Sequence, residues 1–275
     1  MAWTITHDVD IFHAAVDGFL RGDPVRNTVT LTVVEALRVQ GPGDVLFGWW
    51  TDGGRPAGTV LGTAGFPPML SPMPERAARD LADALAGRDM ELPGINGSPA
   101  TAEAFAKAWT DATGAASNAS MEQRLYRLDR LIVPDPPPDG APRVAVAADR
   151  EVALDWYEAF ARSGPGHGPV DAAALDRRIA EGRLILWEVG GRPVAMAGRT
   201  PIIAGMARIA PVYTPPENRR RGYAAAVTAA VTRSAQDAGA AHVVLFTDLA
   251  NPTSNGVYHR LGYRQVEDRI VLTFT

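Results

Sequence analysis

The chain of 275 residues contains no cysteine, which excludes disulfides, cysteine-ligated zinc and a cysteine nucleophile. Histidine is nearly as scarce. His7, His13, His167, His242 and His259 fall at no metal-ligand spacing, so no metal is expected. An excess of positive charge is also missing: the net charge of −4 provides no global field toward nucleic acid or an anionic membrane. No apolar run approaches the roughly 18 residues of a membrane helix, and the opening MAWTITHDVDIF lacks the basic and apolar regions of a secretory signal. Neither a Gly-x-Ser-x-Gly elbow nor a phosphate-binding Gly-Lys-Ser/Thr motif is present. These absences lead to the expectation of a cytoplasmic protein without a membrane or nucleic-acid partner.

What is present is ordinary for a soluble globular protein, with 46% hydrophobic and 21% charged residues. The length suits two domains. The clearest break is PDPPPDGAPR at 134–143, whose five prolines disfavour helix and ladder and predict an extended connector. Domains are therefore expected over 1–133 and 144–275. In the first, the pattern predicts helices over Asp8–Leu20 and Arg26–Val39 and a hairpin of Asp44–Thr51 with Arg55–Thr63. Helices over Pro74–Ala86 and Ala100–Ala112 and a strand over Glu122–Val133 follow. In the second, helices are expected over Arg150–Arg162 and Asp171–Glu181 on either side of a flexible SGPGHGP loop, then a hairpin of Arg183–Val189 with Arg192–Arg199. A strand over Met206–Thr214, a helix over Gly222–Ala238, a strand over Ala241–Asp248, a short helix over Pro252–Leu261 and a strand over Tyr263–Phe274 complete it. Both halves share a loose order of two helices, a hairpin, and further helices and strands, as a duplicated α+β fold with a drifted first copy would.

Chemistry concentrates in the second half. In Ala210–Ala224, APVYTPPENRRRGYA, a strand stopped by two prolines delivers three arginines and a glycine into a long helix. Exposed amides at a helix start, with a glycine permitting close approach, suit an anion, and guanidinium groups add charge-assisted bonds to phosphate. Arg219, Arg220 and Arg221 alone fit a solvated surface run equally well. Further on, Asn251-Pro252-Thr253-Ser254 has the chemistry of a helix start and Gly262 that of its end. Ser254 and Tyr258 share a helix face that begins at the tip of the preceding strand.

Arg219-x-x-Gly222-x-Ala224 resembles the Arg/Gln-x-x-Gly-x-Gly/Ala signature of the GNAT acyltransferase superfamily. The segment Asn251-x-x-Ser254-x-x-x-Tyr258-x-x-x-Gly262-Tyr263 is similar to a second motif of that superfamily, and the separation of the two also matches. The resemblance covers about Arg143 to Phe274. It implies a GNAT fold, a mixed central sheet flanked by helices, and acetyl-CoA as co-substrate. It further implies that Arg219, Arg220, Arg221, Gly222, Tyr223 and Ala224 cradle the pyrophosphate. The fourth strand would splay from the fifth, with backbone groups of Val212, Tyr213 and Thr214 bonding the pantetheine arm and an amide near Val212 facing the oxyanion. Asn251 and Ser254 would also contact the cofactor, and Tyr258 would protonate the departing thiolate. The first half carries neither motif and, as a GNAT-like copy, is expected to have lost coenzyme A binding.

The general base is unassigned: Met206–Val212 offers no carboxylate, leaving Glu188, Asp248 or no dedicated base. The expected reaction is transfer of an acetyl group to a primary amine of a small molecule or peptide. Its rivals are a non-catalytic acyl-CoA-binding module and, more remotely, nucleic-acid binding through Arg219–Arg221. Oligomeric state is not readable from the sequence, although strand exchange or edge pairing along Arg264–Phe274 could build a homodimer.

Overall fold

A computed structural model describes residues 2–41, 43–88, 90–162 and 170–275. The loop expected to be flexible, with His167, lies outside the described residues. The chain divides into one unit of Met1–Arg124 with Glu267–Thr275 and a second of Leu125–Val266. The boundary thus differs from the one expected at the proline cluster.

The first repeat runs β1 (Ala2–Thr6), α1 (Val9–Gly22), α2 (Thr28–Gln40), β2 (Val45–Asp52), β3 (Arg55–Thr63), β4 (Met69–Leu70), α3 (Glu75–Ala86), β5 (Gly94–Gly97), α4 (Pro99–Thr113) and β6 (Ser117–Leu128). The second runs β7 (Ala141–Val144), α5 (Arg150–Ala161), α6 (Ala172–Ala180), β8 (Leu184–Val189), β9 (Arg192–Arg199), β10 (Met206–Tyr213), α7 (Tyr223–Asp237), β11 (His242–Asp248), α8 (Pro252–Arg260) and β12 (Tyr263–Phe274). Strand, two helices, three strands, helix, strand, helix, strand: the order is identical in both. The final strands explain the unit boundary. In the first unit the C-terminal part of β12 pairs antiparallel with β5, from Ile270↔Gly97 to Thr273↔Gly94. Beyond it, Ala116 and Thr275 exchange backbone hydrogen bonds of 2.8 and 3.0 Å. Over Ile270–Thr273, β12 therefore has β5 on one side and β6 on the other, so that part of the edge named for pairing with a second copy is not free.

The proline segment is a correction of a different kind. Rather than bridging two bodies, it is docked within the second unit: Ala141–Val144 pairs with Ile185–Glu188, and Trp187 Nε1 donates to the Asp139 carbonyl at 2.8 Å. Gly140, with φ +98°, has the Glu188 carbonyl 2.2 Å from where a Cβ would lie, so only glycine passes here. Pairing to a neighbouring strand supplies what the proline-rich composition does not.

In the second unit β8 shows why the sheet is buried on both faces. Ile185 and Trp187 belong to the core under α7, and Leu184 and Leu186 to the core under α5 and α6. The first unit is filled by Leu70, Leu81, Leu85, Ile95, Phe105 and Leu272, all nearly inaccessible to solvent. Trp49 and Trp50 take opposite faces of β2 as expected of strand neighbours, Trp50 buried and Trp49 half-buried.

Candidate functional site

β10 and β11 run parallel but pair over three residues only, Met206–Arg208 against His242–Val244. β10 continues to Tyr213 and β11 to Asp248, so their outer halves leave this ladder. Pro211 has no amide to give to a ladder, and the register with β9 shifts between Ile209 and Val212. Past the shift Val212 lies opposite Ala197 and Tyr213 opposite Met196. The side chains diverge: Val212 packs on the α7 side, whereas Tyr213 meets Trp156 of α5 with ring centroids 6.1 Å apart.

The turn from β10 into α7 is shaped by Arg219, whose Nε donates to the Thr214 carbonyl at 3.0 Å. Arg220 and Gly222 take left-handed backbone conformations, φ +63° and +84°. Gly222 is the N-cap of the 15-residue α7, and no side chain caps its first amides. They remain free to meet an anion. Arg219, Arg220 and Arg221 are solvent-exposed around this end and Ala224 is half-buried. Tyr223 corrects the expectation in part. Its ring is buried in the core, so only its backbone faces the turn. The Thr214 hydroxyl is buried with no hydrogen-bond partner among the described residues.

α8 starts at the tip of β11. Asn251 is a true N-cap, its Oδ1 accepting from the Ser254 amide at 3.1 Å. Asn255, absent from the sequence reading, ties the corner together: Nδ2 donates to the Asp248 and Asn251 carbonyls at 2.9 and 2.8 Å, and Tyr126 donates to Oδ1 at 3.2 Å. A lone Asn inside a short helix was its only signal.

Tyr258 is 9% exposed and stacks edge-on against Tyr263, with ring centroids 6.2 Å apart. Tyr263 in turn bonds Thr232 of α7 at 2.6 Å. The Tyr258 hydroxyl has no hydrogen-bond partner among the described residues, and burial pushes its pKa up to about 12. The two sequence motifs thus belong to one cluster under α7, joined through Tyr258, Tyr263 and Thr232.

Of the two carboxylates weighed as bases, one is ion-paired and the other is an exposed cap of its own turn. Glu188 accepts from Arg143, which also pairs with Asp149. Asp248 accepts the Ala250 amide at 2.8 Å.

The model of the Acetyltransferase (GNAT) family matches residues 151–263. No curated protein sequence matches significantly. An acetyltransferase of the GNAT family from Colwellia psychrerythraea shares the fold with a TM-score of 0.62 at 11% identity, over 100% of this chain and 99% of its own. A GCN5-related N-acetyltransferase from Sphaerobacter thermophilus gives 0.64 at 17% identity, over 99% of this chain and 95% of its own. A Drosophila protein gives 0.69 at 15% identity, over 99% and 98%. These likenesses are of fold, and they run through both repeats.

Proposed function

We propose, from the match of residues 151–263 to the acetyltransferase (GNAT) family, that the chain moves an acetyl group from coenzyme A to the primary amine of a small molecule or peptide. The observation that carries this reading is the opening of β10 from β11 after Arg208 and Val244, with the uncapped start of α7 following β10 in sequence. The residues fit a coenzyme A thioester. Uncapped amides from Tyr223 onward, flanked by Arg219–Arg221, suit a pyrophosphate, and the edge of β10 at Val212 and Tyr213, paired with β9 but no longer with β11, suits an amide-bearing arm. Bound there, the thioester supplies an acyl group already activated for transfer.

What remains for the protein is orientation and proton handling. A backbone amide near Val212 is preorganised by the bulge to meet developing negative charge. Tyr258 keeps its proton throughout the physiological range and has no acceptor among the described residues, which fits it to give that proton to the departing sulfur. It regains one from solvent, and the acceptor nitrogen releases its own to solvent as it bonds the acyl carbon. Glu188 is ion-paired with Arg143, so this reading assigns no dedicated base and has the amine enter neutral.

The first unit is read as a GNAT-like partner without a coenzyme site. There the strands equivalent to β10 and β11 are β4 and β5, paired at Met69↔Asn96. The buried Arg269 of β12 fills the space beside them. It donates to the Leu70 carbonyl at 2.8 Å and to Asn96 Oδ1 at 3.1 Å, and pairs with Glu267. A polar cross-link stands where a cofactor arm would enter.

Calorimetry with acetyl-CoA tests both statements. Saturable binding of one ligand per chain is expected, weakened by at least about tenfold in Arg219→Ala/Arg221→Ala. Absence of binding at millimolar ligand would sink the transferase reading, and two sites per chain would sink the account of the first unit.

A further inference from the structure

Opposite α7, helices α5 and α6 present a second polar cluster to the bulge of β10. Arg178 of α6 donates from Nη1 to the Ala210 carbonyl at 2.8 Å and to the Tyr157 hydroxyl of α5. Gly198 of β9 makes room for it. A Cβ there would lie 3.0 Å from both Cδ and Nη1 of Arg178 and 3.2 Å from the Ala210 carbonyl oxygen. A glycine on one strand, a tyrosine on one helix and a bulge carbonyl on another strand thus converge on a single guanidinium.

Among the described residues that guanidinium has no counter-ion. The nearby acids of its helix region are engaged elsewhere: Asp171 with Arg177, Asp176 with Arg150 and Glu181 with Arg183. Arg178 forms no ion pair among the described residues, and its Nε is buried without an acceptor. Arg208, on β10 two residues before Ala210, adds a second positive charge. Its pKa is pushed down to about 10, first by desolvation and then by the charge of Arg178. Two neighbouring cations, one of them without a carboxylate, make a strong field for an anion. Trp156 and Tyr213 provide an aromatic contact between α5 and the same strand.

We propose that Arg178 anchors a carboxylate on the acceptor, so that the substrates are amines bearing a carboxylate, amino acids above all, rather than simple amines. This rests on the transferase reading and deepens it. The Ala210 carbonyl that holds Arg178 is two residues from Val212, whose amide region faces the acyl carbon in that reading. An anion held at Arg178 therefore keeps an amine one or two bonds away close to the reacting centre. A planar guanidinium suits a carboxylate better than an ammonium would.

The test follows free-thiol release by the full chain from acetyl-CoA at pH 8, over a panel of amino acids and the matching amino-acid amides. The amides hold more of their amine neutral at this pH, so intrinsic reactivity favours them. The inference expects the reverse, with kcat/KM for the preferred acid at least about tenfold above its amide. Arg178→Gln should collapse that ratio through the acceptor KM while leaving the KM for acetyl-CoA unchanged, and Arg178→Lys should restore part of it. The wild-type ratio does not depend on either variant folding. A ratio near one, a preference for amides, or bound acetyl-CoA with no acid accepted each overturns the carboxylate anchor alone. Failure to bind acetyl-CoA overturns the transferase reading beneath it.

Discussion

Tyr258 combines a buried ring, a hydroxyl without a hydrogen-bond partner among the described residues, and a pKa raised to about 12 by burial. Replacement by Phe is expected to leave acetyl-CoA affinity intact and lower kcat by about 100-fold; equal turnover would remove Tyr258 from the mechanism. The pH dependence has a definite sign. The folded protein holds this proton more tightly than the unfolded chain, whose tyrosines titrate near about 10. The unfolded state therefore binds fewer protons between about pH 10 and 12, and stability falls across that window at up to about 1.4 kcal/mol per pH unit from this group. Chemical denaturation of the wild type and Tyr258→Phe from pH 9 to 12 should show a shallower decline in the variant. At this scale identities were more legible in the sequence than environments. Its motif spacing pointed to Tyr258, Asn251 and Arg219, yet nothing in it separated the exposed Arg220 from Tyr223, whose ring turns into the core. Arg178 and Arg208 were equally silent, because an arginine on a helix or strand reads as a solvated one until tertiary packing shows otherwise.

Elements divide by how much local pattern they carry. β3, β9 and β12 occupy the ranges their alternation predicted, and α3, α5 and α7 fall within a residue or so of theirs. β4 and β5 span two and four residues among prolines and glycines, and β7 lies in the proline cluster. Such strands exist because a neighbour pairs with them, and no windowed periodicity can register that. α8 lies between these cases: nine residues with a weak apolar face, held at its start by Asn251 and Asn255. Asn251→Ala should cost about 1 kcal/mol as a lost cap. Asn255→Ala, which frees two carbonyls and the Tyr126 hydroxyl, should cost more, about 1–3 kcal/mol. Thermal melts of the two variants decide it, and an Asn255→Ala melt no lower than that of Asn251→Ala would discount the tie between β11 and α8.

For the whole molecule, two repeats with one element order were only loosely visible in the sequence, since the missing short strands hid the match. The boundary was misread for a physical reason. Proline density marks where helices stop, whereas a domain ends where contacts thin out, and here that is inside β6. A fragment of residues 144–275 illustrates the difference. It lacks Tyr126, a core residue of the second unit, together with the chain that pairs with β8 as β7. It should show no cooperative thermal transition by circular dichroism, and a melt close to that of the full chain would restore the proline cluster as the true joint.

The placement of Glu267–Thr275 in the first unit also orders events on the ribosome. Leu125–Val266 is continuous, so the second unit has all its residues as soon as Val266 has emerged. The first unit, although translated earlier, presents β5 without its β12 partner until Thr273 is made. An unpaired strand edge is an aggregation hazard during that interval. Synthesis and completion therefore run in opposite directions, and the half of the protein that is born first is finished last.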